Sequence, residues 1–217
     1  MKNQVTEMFG IDMPIFAFTH CRDVVAAVTK AGGMGVLGAV GLSPRQLEID
    51  LQWIEDEVGG KPYGVDLIVP AKYAGSDEGG MSVGSINQMI PDEHRAYLDQ
   101  ILEKYDVPPL EEGTTKSGGF NMKDDAAAPM SADSQMPNLE IALAFKPSLM
   151  VNALGPPPAV MTSRCHEAGI MVGALAGKAQ HAERHVNAGV DLIIAQGYEA
   201  GGHTGEIAPM VLIPEVV

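Results

Sequence analysis

Cysteine is nearly absent from this 217-residue chain: Cys21 and Cys165 stand alone, far apart in sequence. That pair supports neither a disulfide framework nor a four-cysteine zinc site, so both are expected as free thiols. Long apolar runs are also missing. None approaches the roughly 18 residues that a helical membrane span needs, and the first ten residues carry Lys2 and Glu7 where a secretory signal would be apolar. The expectation is a cytoplasmic protein without membrane attachment. Basic residues are scarce, with 14 Lys and Arg against 28 Asp and Glu and a formal net charge of −14. Nucleic-acid partners are excluded on that ground, because phosphate contacts need clustered Lys and Arg. The same acidity repels an anionic substrate at long range, so a site for one needs backbone N–H groups or a base that becomes protonated.

What is present is a long alternation of strand and helix. The chain is 46% apolar, enough to bury a sizeable core, and a single domain over residues 1–217 is expected. Apolar runs predict strands at 14–18, 35–40, 63–69, 148–154, 170–175 and 191–195. Helical spacing predicts helices at 22–31, 44–58, 91–105, 157–168 and 179–188, with Ser43 as an N-cap and Pro44 at the first helical position. Pro156–Pro158 are expected to end the fourth strand and start a helix, and LIPEVV at the C-terminus resembles the beginning of a sixth strand-following helix. Repeated βα units of this kind predict a parallel sheet. Residues 106–137, rich in Gly, Pro, Ser, Asp and Lys, are read as an inserted mobile loop, and 71–90 as a second long loop after the third strand.

The most telling stretch is AQGYEAGGHTGE at 195–206, where the apolar strand DLIIA stops in Gly197, Gly201, Gly202 and Gly205 around His203. Ligands of α/β folds collect at such strand ends. His203 is the one side chain in the turn that can exchange protons near neutral pH. Taken alone, the turn fits either an active-site loop or a flexible turn carrying a solvated histidine. The pair His181 and His185 has the i, i+4 spacing of a metal site. The order HAERH departs from HExxH and no third ligand is evident, so both are read as exposed helix histidines and no metal is expected.

Gln196, Gly197, Glu199, Ala200, Gly201, Gly202, His203 and Gly205 together resemble the signature of the nitronate monooxygenase family, formerly the 2-nitropropane dioxygenases. MFGIDMPI, VVAAVTKAGGMGVLGA, YGVDLIVP and GIMVGALAGKAQHAERHVNAGVDLIIAQG support the likeness. The resemblance implies a TIM-type (β/α)8 barrel, of which about six βα units are present here. A complete barrel takes about 250 residues and often binds phosphate with the loops after strands seven and eight, so the barrel is expected to be incomplete at its C-terminus.

The resemblance further implies an oxidoreductase that uses FMN and O2 to convert alkyl nitronates or nitroalkanes to carbonyl compound and nitrite. His203 is then the catalytic base, and Gln196, Gly197, Gly201, Gly202, Asp66 and Ala17 are the cofactor-binding candidates. Asp66 stands where the family usually has an asparagine that contacts FMN. A carboxylate there accepts an N–H bond but lacks the amide donor, and its negative charge disfavours reduced anionic flavin. The first strand also departs from the family's Gln-Ala-Pro-Met-like turn, reading Ala17, Phe18, Thr19, His20, Cys21. His20 lies near the cofactor or bonds to backbone at a strand end, and Cys21 is read as a packing residue. Two alternatives stay open: an FMN-dependent NAD(P)H reductase of quinones or enoyl thioesters, and a flavin-free assembly unit. A homo-oligomer is compatible with each.

Overall fold

Six parallel strands in simple sequential order make the frame of the computed structural model, which describes residues 2–70, 83–108, 132–202 and 204–217. The strands are β1 (Phe16–Thr19), β2 (Met34–Gly38), β3 (Gly64–Leu67), β4 (Leu149–Asn152), β5 (Met171–Ala176) and β6 (Leu192–Ala195). Between them run α2 (Arg22–Lys30), α3 (Pro44–Val58), α7 (Ala159–Glu167) and α8 (Ala179–Asn187), after a short N-terminal α1 (Gln4–Phe9). The β3–β4 connection carries α4 (Val83–Gln88), α5 (Asp92–Lys104) and α6 (Ala132–Phe145), and α9 (Pro209–Val216) follows β6. The parallel sheet expected from the alternation is therefore present, as six strands of the (β/α)-barrel frame that the resemblance implies.

Helix α3 shows how local chemistry sets these elements. Ser43 Oγ accepts the Gln46 N–H at 3.2 Å, and Pro44 opens the helix with its φ already helical. Leu47, Leu51, Ile54 and Val58 then recur on one face and are buried. Gly59, at φ 61°, closes the helix in the left-handed conformation.

Strand alternation divides the core in two. Leu37, Val65, Leu67, Met150 and Val172 face outward into one cluster with α2, α3, α6 and α7, which contribute Val25, Leu51, Ile54, Leu139, Met161 and Cys165. Met34, Val36, Leu149 and Val151 face inward, where Phe9 and Ile11 pack against them and Phe9 meets Phe16 edge-on at 5.5 Å. Every residue of β2, β3 and β4 is buried, whereas β6 is half-buried along its whole length.

The structure differs from the sequence reading at three helices. Helix α1 was not anticipated; its signal is a capping box in which Asn3 and Thr6 exchange side-chain-to-backbone bonds, both at 2.9 Å. Helix α6 takes up residues 132–137 of the segment read as loop, with Pro137 inside it. Its Leu139, Ala142 and Leu143 are buried in the outer core, so tertiary burial holds a helix that its proline argues against. Helix α4 likewise occupies part of 71–90. Residues 71–82 and 109–131 of the two long loops lie outside the described residues.

Candidate functional site

Register brings Gly38, Asp66, Val151, Gly173 and Leu192 into one inward-facing row, which runs from the C-terminal residue of β2 to the first residue of β6 and passes Asp66 one residue before the end of β3. Asp66 is only 4% exposed, and its Oδ1 has no hydrogen-bond partner among the described residues. Its backbone carbonyl accepts the Ala39 N–H at 2.9 Å. Burial pushes the Asp66 carboxyl up to about 8, because the ionised form loses hydration and gains no compensating cation.

Position 38 must be small. A Cβ at Gly38 would lie 2.6 Å from Phe18 Cζ and 2.7 Å from His20 Nδ1, so both rings stand over the glycine next to Asp66 in the row. His20 Nδ1 donates to the Gly38 carbonyl at 2.9 Å, and the His20 ring meets Phe18 edge-on at 5.1 Å. That bond puts the proton of a neutral imidazole on Nδ1 and leaves Nε2 as the acceptor. Of the two readings of His20, the backbone-bonded one describes it, although the ring still borders the inner row.

Ala17 sits on the other side of the sheet. It is in register with Gly35, where a Cβ would come within 2.4 Å of the Val25 carbonyl oxygen in α2, so the Ala17 side chain faces the helices. The structure does not bring that side chain to the inner row.

The turn after β6 is closed by bonds from Gln196 N–H to the Ala176 carbonyl at 2.9 Å and from Tyr198 N–H to the Ile207 carbonyl at 3.0 Å. Gln196 is half-buried and by strand alternation follows Leu192 and Ile194 on the inner face. Gly197 is buried, and a Cβ there would lie 2.3 Å from Pro209 Cδ, so this glycine seats the first turn of α9. Gly201 and Gly202 are exposed, with nothing among the described residues within 4 Å of an added Cβ, and Gly202 adopts φ 77°. Their backbone is open to a ligand. His203 lies outside the described residues.

Asn152 is a polar residue of this end of the sheet that the sequence reading passed over. It is fully buried; its Oδ1 accepts the Val69 N–H at 2.8 Å, and its Nδ2 donates to the Leu154 and Gly155 carbonyls at 3.2 and 3.1 Å. The side chain thus ties the exit of β3 to the exit of β4. The available signal was an asparagine closing the otherwise apolar run LMVN.

Two expectations need correction. His185 is not an exposed helix histidine: it is 1% exposed, and its Nε2 donates to the Leu175 carbonyl at 2.8 Å, which fastens α8 to β5. Cys21 is exposed rather than packed, its thiol donating to Asp23 Oδ2 at 3.5 Å, while Cys165 is the buried free thiol.

The family model described as nitronate monooxygenase matches residues 2–217. The Mycobacterium tuberculosis protein named "Putative monooxygenase Rv1533" is 49% identical over 100% of this chain and 56% of its own length. A Staphylococcus aureus protein named "Probable nitronate monooxygenase" is 26% identical over 100% of this chain and 57% of its own. The chain therefore spans little more than half the length of these relatives. Among solved structures, the fold is similar to nitroalkane oxidase from Streptomyces ansochromogenes, with TM-score 0.68 and 20% identity over 99% of this chain and 57% of that one. It is also similar to FabK from Thermotoga maritima, with TM-score 0.63 and 20% identity over 100% of this chain and 50% of that one.

Proposed function

The chain belongs to the nitronate monooxygenase family, and from that premise we propose that it serves an FMN-dependent oxidation of alkyl nitronates or nitroalkanes by O2, yielding carbonyl compound and nitrite. The observation that carries the cofactor assignment is the Asp66 carboxyl, a buried polar group on the inner face near the C-terminal end of β3 with an oxygen unpartnered among the described residues. An orphaned buried polar atom is costly in a finished core and is satisfied when a polar ring reaches it. The exposed backbone of Gly201 and Gly202 fits the same assignment, since it allows close approach of a planar, hydrogen-bonding ligand. FMN, when bound, supplies the two-electron acceptor and the reactivity toward O2.

The protein's own part is orientation and proton management. Asp66 and Gln196 present polar groups to the ring from β3 and from the exit of β6, and Gly197 holds α9 against that exit. His203 takes the proton from the carbon next to the nitro group when the substrate arrives as a neutral nitroalkane. As an imidazolium it then offsets the nitronate charge that the acidic protein would otherwise repel, which a carboxylate cannot do.

Replacing His203 by Asn tests the assignment. Turnover of neutral nitroalkane is expected to fall by about 10²-fold or more, and turnover of preformed nitronate far less. Equal losses on both substrates would remove His203 from the proton-transfer role. Anaerobic NADH or NADPH is expected to leave the flavin oxidised; rapid bleaching would replace this reading with the reductase.

A further inference from the structure

We propose that Asp66 is held as a neutral carboxylic acid in the resting protein and donates its O–H to the flavin, making cofactor affinity proton-linked. This rests on the FMN reading above and assigns the chemical state of one group within it.

Among the described residues the geometry leaves the carboxylate form without support. Asp66 is 4% exposed, and its row neighbours are Gly38 on β2 and Val151 on β4, neither of which carries a charge. From the end of β1 the His20 ring stands over Gly38, but its Nδ1 is engaged by the Gly38 carbonyl. Asn152, the next polar residue on β4, is in register with Leu67 on the opposite face and spends its groups on Val69, Leu154 and Gly155. No Lys or Arg forms an ion pair with Asp66 among the described residues. A buried carboxyl without a cation or a set of N–H donors keeps its proton, and the upward shift to about 8 has burial as its cause.

Neutrality changes what the residue offers. A carboxylate only accepts, whereas a carboxylic acid has one donor and one acceptor, the same complement that an asparagine amide directs at a ligand. The edge of a flavin pyrimidine carries adjacent carbonyl and N–H groups, which pair with that complement. The penalty expected for a negative charge beside the flavin is absent as long as the proton stays. The sign of the linkage follows: below the titration Asp66 is the donor, and above it the group must either lose the donor or retain a proton at growing cost. Each pH unit beyond the titration then weakens binding about tenfold.

The test compares the full chain and Asp66→Asn by two readouts. With aspartate carboxyls labelled with ¹³C, the infrared spectrum of the wild type without FMN is expected to show an un-ionised carboxylic acid near neutral pH. That band should disappear around pH 8 and be missing from the variant. FMN titrations followed by flavin fluorescence between pH 6 and 9.5 should show wild-type affinity falling steeply above the titration. Asp66→Asn, which cannot ionise, should keep the low-pH affinity within about threefold across the range. Parallel pH profiles for the two proteins overturn the proposal. A carboxyl that titrates in the ordinary aspartate range also overturns it, and this wild-type measurement does not depend on the variant folding. Failure of the wild type to bind FMN at any pH removes the cofactor reading and the donor role with it, while the infrared titration still reports the protonation state.

Discussion

Asn152 and Asp66 sit one residue apart in register, on opposite faces of the sheet, and buried polarity has opposite consequences for them. Asn152 has its hydrogen bonds made within the protein, to Val69, Leu154 and Gly155. Its replacement by Ala leaves the Val69 N–H buried without a partner and frees the two chain exits it joins. We expect Asn152→Ala to lower unfolding stability by about 2–3 kcal/mol. Urea titration should show the midpoint fall with an unchanged slope, and a loss within experimental error would mean that water replaces the side chain. Asp66 has an oxygen without a partner among the described residues, which is why its proposed role is tied to a ligand. The sequence singled out Asp66 through the family's asparagine, yet its solitude is a property of packing: Gly38 and Val151 become its neighbours only through strand register. Ala17 shows the same limit from the other side. An apolar strand reads alike on both faces, and only pairing with Gly35 reveals that its side chain faces the helices.

Elements were most legible where termini carry their own chemistry. Helix α3 spans 44–58 as its cap, proline and apolar spacing predict, and α1 was passed over although Asn3 and Thr6 form its capping box. Helix α6 was the hard case, because Pro137 and its flanking loop composition point away from a helix that burial in the outer core sustains. Element packing also fixes particular glycines for different reasons. At Gly35 a Cβ would meet the Val25 backbone at 2.4–2.8 Å, so Ala there must push all of α2 away from β2. At Gly59 a Cβ meets nothing within 4 Å, and the cost is only that of φ 61° for an L-residue. Gly59→Ala should therefore lose about 1 kcal/mol and Gly35→Ala about 3 kcal/mol or more. Calorimetric melts of the two variants decide it: comparable losses would mean that α2 shifts freely and that the β2–α2 contact is not rigid.

At the scale of the molecule, the parallel order of the six strands follows from the βα alternation, while the unequal security of those strands does not. Burial is complete along β2, β3 and β4, covered outward by α3, α6 and α7 and inward by Phe9, Ile11 and each other. Along β6 every residue is half-buried, and β1 carries Phe18 at 57% exposure. Stability distributed in this way implies local opening from the flanks before the centre, because each amide is protected by the burial and pairing around it. The proposed cofactor groups straddle that gradient, with Asp66 on the secure β3 and Gln196 at the exit of β6. Hydrogen exchange resolved by residue should show the paired amides of β3 and β4 exchanging slowest, and those of β1 and β6 at least about tenfold faster. FMN bound at these proposed groups should slow exchange at β6 more than at β3, since a ligand protects most where opening was easiest. Uniform protection across all six strands without FMN would contradict this gradient, and slowing confined to β3 would detach the turn after β6 from the cofactor.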